Sequence, residues 1–210
     1  MIRIRIELAR PLVPQLAIAV EAIRRGEVVA FPTDTLYGLA VDPRSEAALE
    51  ALFALKGRSA DRVVALVAAN LAQAAEIGEI AGTARRLADR FWPGPLTLVV
   101  PARMPVAPLA CTAAGLVGIR VPAHPVARAL AEGCGHALTA TSANASGQPP
   151  TSVPGDVAHA LPGVPVLVDS GPSPGGLPST LVDAATSEIR LLREGALPWS
   201  RVLEFLNAPS

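Results

Sequence analysis

Residues 28–58 constrain the fold more than any other stretch, because they pass from a strand to a helix through a turn crowded with polar side chains. Val28 to Phe31 are mostly β-branched or large apolar residues, and Pro32 ends the run, as expected where a strand stops. Thr33, Asp34, Thr35 and Tyr37 then bring four hydrogen-bonding side chains close together, with Gly38 behind them. Ser45 is placed to cap a helix whose apolar residues Leu49, Leu52, Phe53 and Leu55 fall near helical spacing. Gly57 ends that helix, with Lys56 before it and Arg58 after it. A strand, a polar turn and a helix in that order belong to an α/β architecture, in which helices pack on a sheet.

Lys56 is the only lysine; the other seventeen basic residues are arginines. A lysine retained in such a composition points to a place that needs a compact, strongly hydrated ammonium rather than a planar guanidinium. The same position also suits a helix C-terminus, where a cation gains roughly 0.3–1 kcal/mol from the helix dipole. The residues alone support both readings.

The rest of the chain repeats the alternation of strands and helices. Ile2, Ile4, Ile6 and Leu8 alternate with Arg3, Arg5 and Glu7, which predicts a half-buried strand over 2–8 near a sheet edge. Gln15 to Arg25 predict a helix with Leu16, Ala19, Val20 and Ile23 on one face and Gly26 as its stop. Val63 to Ala68 suits a strand buried on both faces. Asn70 is placed to cap a helix over 71–77, and Thr83 a second one ending near Phe91. Trp92-Pro93-Gly94-Pro95 forces a turn before a strand at 96–100. Strands at 115–121 and 137–141 flank a helix opened by His124-Pro125 and reaching about Glu132. Beyond Pro149 the Pro- and Gly-rich chain predicts a helix near 155–161 and strands at 164–168, 179–182 and 188–192. It also predicts a loop at 171–178 and a closing helix at 199–206. No repeat or compositional break divides the chain, so the expectation is a single domain over 1–210 with a mixed sheet.

Composition narrows the function classes. Half the residues are hydrophobic but only seven are aromatic, so the core is built from Ala, Val, Leu and Ile. Acidic and basic residues balance at eighteen each, which argues against a nucleic-acid binder held by bulk charge and leaves room for a local basic cavity. Cys111 and Cys134 form no C-x-x-C pair, and neither a signal-type apolar segment nor a membrane-length one is present, so the expectation is a cytoplasmic protein with no membrane partner. No P-loop, no dinucleotide-type glycine fingerprint and no nucleophile elbow occurs. His124, His136 and His159 share no ligand spacing with the cysteines, so no metal site is expected.

Three stretches are polar where a buried sheet would prefer apolar residues: 33–37, 139–146 and 179–180. Lys56, Arg58, Arg120 and Arg193 lie at comparable element ends. Hydroxyls, an amide and cations converging on one rim would suit a phosphate-bearing ligand, although turns and caps would account for any one stretch.

The segments Pro32-Thr33-Asp34-Thr35-Leu36-Tyr37-Gly38-Leu39, Lys56-Gly57-Arg58 and Trp92-Pro93-Gly94-Pro95-Leu96-Thr97 are followed by Gly118-Ile119-Arg120-Val121-Pro122, Thr141-Ser142-Ala143-Asn144 and Ser179-Thr180-Leu181-Val182-Asp183. In this order and spacing they resemble the YrdC/TsaC family of threonylcarbamoyl-AMP synthases, over nearly the whole chain. The resemblance implies a YrdC-like fold: a twisted mixed α/β sheet with flanking helices around a concave, basic cavity. It implies a nucleotidyltransferase that joins L-threonine, bicarbonate and ATP into L-threonylcarbamoyladenylate and pyrophosphate, for N6-threonylcarbamoyladenosine modification of tRNA.

Under the resemblance Lys56 and Arg58 are catalytic, neutralising phosphate oxygens together with Mg²⁺ carried by ATP. Thr35, Arg120 and Thr141 bind threonine, Arg120 through the carboxylate. Lys56, Arg58, Arg62, Ser142, Asn144, Ser179 and Arg193 contact the nucleotide, and Tyr37 shapes the pocket. The implied partners are a tRNA-modifying threonylcarbamoyl-transferase complex and, weakly, tRNA or RNA itself. Ser59 stands where many relatives have proline, and Arg62 and Val67 stand where longer relatives carry Asn and His. The longer form's extra C-terminal domain is not expected here, which leaves the 171–178 loop to help order the nucleotide. The alternatives are a non-catalytic RNA- or nucleotide-binding paralogue of the same fold, and the carbamoyl-adenylate chemistry of a hydrogenase-maturation protein. The chain lacks that protein's zinc-finger and acyl-phosphatase-like modules.

Overall fold

The computed structural model describes residues 1–57, 64–103 and 106–208. It begins with strand β1 (Ile2–Arg5), a helical turn α1 (Leu12–Gln15) and helix α2 (Ala17–Arg24). The strand expected over 2–8 ends early because the Gln15 side chain captures the backbone beyond it. The Gln15 amide oxygen accepts from Glu7 N at 2.9 Å, and its nitrogen donates to the Glu7 and Pro11 carbonyls at 3.1 and 3.0 Å. Ile2 and Leu8 stay exposed, so only Ile4 and Ile6 of the apolar row reach the core. The helix expected over 15–25 divides at Leu16, yet Leu16, Ala19, Val20 and Ile23 are all buried, as their spacing predicts.

Strand β2 (Val29–Phe31) turns back as β3 (Gly38–Ala40), antiparallel to it, with Phe31 opposite Gly38. Helix α3 (Glu46–Lys56) is capped by Ser45, whose Oγ accepts from Ala48 N at 3.2 Å, and ends at Gly57 with φ +60°. Strand β4 (Ala65–Val67) precedes α4 (Leu71–Ile77), capped by Asn70 Oδ1 accepting from Gln73 N at 2.9 Å. Thr83 does not cap the next helix: α5 (Gly82–Phe91) starts one residue before it, after an extended Ala81. Strand β5 (Leu96–Pro101), a 3₁₀ turn at Pro108–Ala110 and strand β6 (Leu116–Arg120) lead to α6 (Pro125–Cys134). The chain then forms β7 (Leu138–Ser142), α7 (Pro154–Ala160), β8 (Val166–Asp169), β9 (Thr180–Asp183), β10 (Arg190–Arg193) and α8 (Trp199–Asn207).

The ten strands form one twisted sheet in the order β1-β8-β2-β3-β7-β4-β6-β5-β9-β10. The pairs β1/β8, β2/β8, β4/β6 and β5/β9 are parallel and the others antiparallel, so the sheet is mixed and β1 lies at its edge, as expected. Three apolar clusters cover it. One involves α2 and α6, a second α3 and α7, and a third α4, α5 and α8. Among the described residues no helix is long and apolar enough to cross a membrane.

The N-terminus of α6 carries a titratable cap. His124 Nδ1 accepts from Val126 N at 3.3 Å, and burial lowers its imidazole below the ordinary histidine range. The unfolded chain therefore takes up the proton before the folded one does. The cap's contribution is fully present above about pH 6.5 and falls as the pH drops through the lowered folded value. Urea unfolding of wild type and His124→Asn, which keeps an acceptor, should diverge below that pH, with wild type losing up to about 1.4 kcal/mol per pH unit relative to the variant.

Candidate active site

A cavity of about 610 Å³ opens on one face of the sheet, within the range of roughly 300–1,000 Å³ usual for small-molecule sites. On β5 and β6, strand alternation sets which side chains line it. Thr97 and Val99 of β5, Gly118 and Arg120 of β6, and Ala140 and Ser142 of β7 line the cavity, while Leu98, Ile119 and Val182 are buried on the opposite face. The residues between the strands are in register, Val99 opposite Gly118 and Ala65 opposite Ala140. Ala65, Gly118 and Ala140 fill little volume, so the sheet is left with a hollow where larger side chains would have filled it.

Arg120 is the hub of the wall. It is 6% exposed, at the C-terminal end of β6. Its Nε donates to the Gly94 carbonyl at 2.9 Å, its Nη1 to Thr35 Oγ1 at 3.4 Å, and its Nη2 to Asp34 Oδ1. One guanidinium thus ties the turn after β2 to the turn before β5. Gly94 is fixed in return, its N–H donating to the Val121 carbonyl at 2.9 Å, and the Trp92 indole N–H donates to Leu96 O at 2.7 Å across the same turn.

The 33–37 turn is held by its own hydroxyls. Thr33 Oγ1 donates to the Leu36 carbonyl at 2.6 Å and lies 3.1 Å from Thr35 Oγ1. The turn also docks the Pro/Gly-rich loop. Gly175 N donates to the Thr35 carbonyl at 2.8 Å, and the Tyr37 hydroxyl donates to the Gly171 carbonyl at 2.8 Å. Burial pushes the Tyr37 phenol up to about 12, so it stays protonated and remains a donor at any ordinary pH. Tyr37 shapes the pocket wall, as expected.

The structure brings most of the sequence-predicted residues to one place. Thr35, Arg120, Thr141, Ser142, Ser179 and Arg193 all line the cavity. Ser179 Oγ lies 2.8 Å from Thr97 Oγ1, and Arg193 Nη2 donates to the Ser179 carbonyl at 2.9 Å. Lys56 and Asn144 stand behind the lining. The Lys56 ammonium, 3% exposed, donates to the Ser142 carbonyl and, at 2.8 Å, to the Asn144 carbonyl, with Asn144 Oδ1 at 3.5 Å. Asn144 Nδ2 donates to the Ala145 and Gln148 carbonyls at 3.0 and 2.6 Å. Lys56 and Asn144 therefore shape the loop that presents Ser142. Arg58 and Arg62 lie outside the described residues.

Sequence reasoning did not find three features of the site. Asp34 was recognised as a hydrogen-bonding side chain but not as the partner of Arg120, which is 86 positions away. Thr97 belongs to a strand and to the Trp92–Thr97 segment in the sequence reading, with no partner assigned, yet its hydroxyl meets Ser179. The small residues Ala65, Gly118 and Ala140 signal a hollow only once the strand register is known.

A family model described as telomere recombination (Sua5/YciO/YrdC) matches residues 21–195. The threonylcarbamoyl-AMP synthase of Bacillus subtilis (strain 168) is 39% identical over 88% of this chain and 54% of its own length. That of Thiobacillus denitrificans is 39% identical over 80% of this chain and 89% of its own length. The structure of Pyrococcus abyssi Sua5 complexed with L-threonine matches with a TM-score of 0.90 at 36% identity, covering 98% of this chain and 60% of that one. The chain thus spans a little over half the length of the B. subtilis and P. abyssi relatives. Matched across most of its residues in both sequence and backbone, the protein belongs to the Sua5/YciO/YrdC family.

Proposed function

We propose that this protein is an L-threonylcarbamoyladenylate synthase, a nucleotidyltransferase acting on L-threonine, bicarbonate and ATP. The observation that carries the reading is the cavity itself. It brings Arg120, Arg193 and the hydroxyls of Thr35, Thr141, Ser142 and Ser179 together on a floor of small residues. That set offers cations for carboxylate and phosphate oxygens and short donors for an amino acid's polar groups. Two relatives named threonylcarbamoyl-AMP synthase and a family structure holding L-threonine support it.

Bicarbonate would give carbon dioxide and hydroxide; the threonine amine would add to the carbon dioxide, and its released proton would neutralise the hydroxide, leaving a carbamate and water. A carbamate oxygen would then attack the α-phosphate of ATP in line, and pyrophosphate would leave. Such a displacement depends on positioning and on neutralising oxygen charge more than on a strong base. Arg120 would hold the threonine carboxylate, and Thr35 and Thr141 would address its other polar groups. Arg193, Ser142 and Ser179 would meet the nucleotide. Among the described residues the lining includes the cations Arg120 and Arg193 and no carboxylate. Mg²⁺ would arrive on the nucleotide's own phosphates, since among the described residues no group of three or more His, Cys, Asp or Glu side chains is placed to hold an ion. The adenylate would then pass to a tRNA-modifying transferase.

Pyrophosphate release from ATP should require threonine and bicarbonate together. Steep salt-dependent tRNA binding without turnover would instead favour a binding paralogue of the same fold. Lys56 separates two roles in a second measurement. Its ammonium satisfies two loop carbonyls, so Lys56→Met should lower stability by roughly 1–3 kcal/mol as those acceptors lose their donor. It should also weaken ATP binding by loosening Ser142. Unchanged stability in guanidinium titrations would mean that the loop does not depend on the lysine.

A further inference from the structure

We propose that Asp34 is a positioning residue that tunes substrate affinity: paired with Arg120, it competes with the ligand's carboxylate for the guanidinium. This rests on the amino-acid reading of the cavity.

Arg120 and Asp34 form an ion pair whose side chains are 7% and 13% exposed. Arg120 belongs to the cavity wall, as do Thr33 and Thr35 on either side of Asp34, whereas Asp34 itself does not. Asp34 therefore holds a residue of the cavity wall without belonging to that wall itself. The remaining contacts of Arg120 are neutral: the Gly94 carbonyl and the Thr35 hydroxyl. His124, the N-cap of α6, interacts electrostatically with Asp34, and burial holds it towards its neutral form. Among the described residues, Arg120 is the cation paired with Asp34.

A guanidinium already neutralised by one carboxylate attracts a second one weakly, because the two anions repel each other across it. A ligand that offers only a carboxylate gains little at this site. A ligand that adds an amine and a hydroxyl also gains the contacts of Thr35 and Thr141, and so outcompetes Asp34. The internal carboxylate thus weakens every ligand that depends on its own carboxylate, so that binding requires the added contacts of an amine or a hydroxyl.

The test is calorimetric titration of L-threonine and of L-threoninol, which lacks the carboxylate, into wild type and Asp34→Asn. Asn retains an oxygen acceptor for Arg120 Nη2 and removes the charge. Threonine should bind the variant on the order of tenfold more tightly, while threoninol should bind both proteins alike. Unchanged or weaker threonine binding to the variant overturns the proposal, as does an equal gain for threoninol, which would indicate repacking. If neither protein binds threonine, the functional reading falls and this inference with it; wild-type binding without a gain overturns this inference alone. Should Asp34→Asn fail to fold, carbon-13 NMR of wild type gives the same answer. The Asp34 carboxyl resonance should shift on adding threonine and not threoninol, and no shift for threonine overturns the proposal.

Discussion

A guanidinium that is nearly fully buried is tolerated only where its charge and donors are matched, since removing a partner from such a pair typically costs roughly 3–5 kcal/mol. Arg120 meets that condition through Asp34, Thr35 and Gly94, which come from two loops far apart in sequence. The requirement works in both directions. The arginine needs the loops for its own burial, and the loops take their relative placement from the arginine. The hydroxyl turn after β2 and the proline turn before β5 flank the same cavity because one side chain at the end of β6 holds both.

From this hub, constraint passes outwards through main-chain hydrogen bonds. The Thr35 carbonyl receives Gly175 and the Tyr37 hydroxyl reaches Gly171, so the Pro/Gly-rich segment lies on the hydroxyl turn. On the other side, Lys56 at the end of α3 binds the Ser142 and Asn144 carbonyls and fixes the loop after β7. The floor between these rims needs no special chemistry. It needs only one small residue on each of β4, β6 and β7, namely Ala65, Gly118 and Ala140, while Leu98, Ile119 and Val182 fill the core behind.

Locally determined features were legible in the sequence. Ser45 and Asn70 cap their helices, Pro125 opens one and Gly57 ends one, because such signals depend on a few neighbouring residues. The mixed α/β sheet followed from the alternation of strand and helix patterns. Strand β3 was missed, since three residues flanked by a polar turn carry no periodicity, and their pairing with β2 and β7 is what makes them a strand. The Thr83 cap failed because a hydroxyl near a helix start does not fix which residue begins it. The candidate site was legible as residue types and, through the family resemblance, as an ordered set of motifs. The sequence did not reveal which polar residues face the cavity and which support it. Lys56 illustrates the difficulty: its place in the last turn of α3 fits the helix-end reading, while its hydrogen bonds to the Ser142 and Asn144 carbonyls, 86 and 88 positions away, are signalled by no local pattern.

The central claim is that the hollow left by small side chains on the sheet face is where the substrates meet. Gly118 tests it directly. A Cβ built there would meet Thr97 Cγ2 at 3.5 Å and Ala65 at 3.9 Å, ordinary contacts that the strand accommodates. Gly118→Val should therefore fold with a melting temperature close to wild type, because valine suits a strand and its Cβ meets only ordinary contacts. It should also lose L-threonine binding in calorimetry. A folded Gly118→Val protein that binds threonine as wild type does would contradict the account.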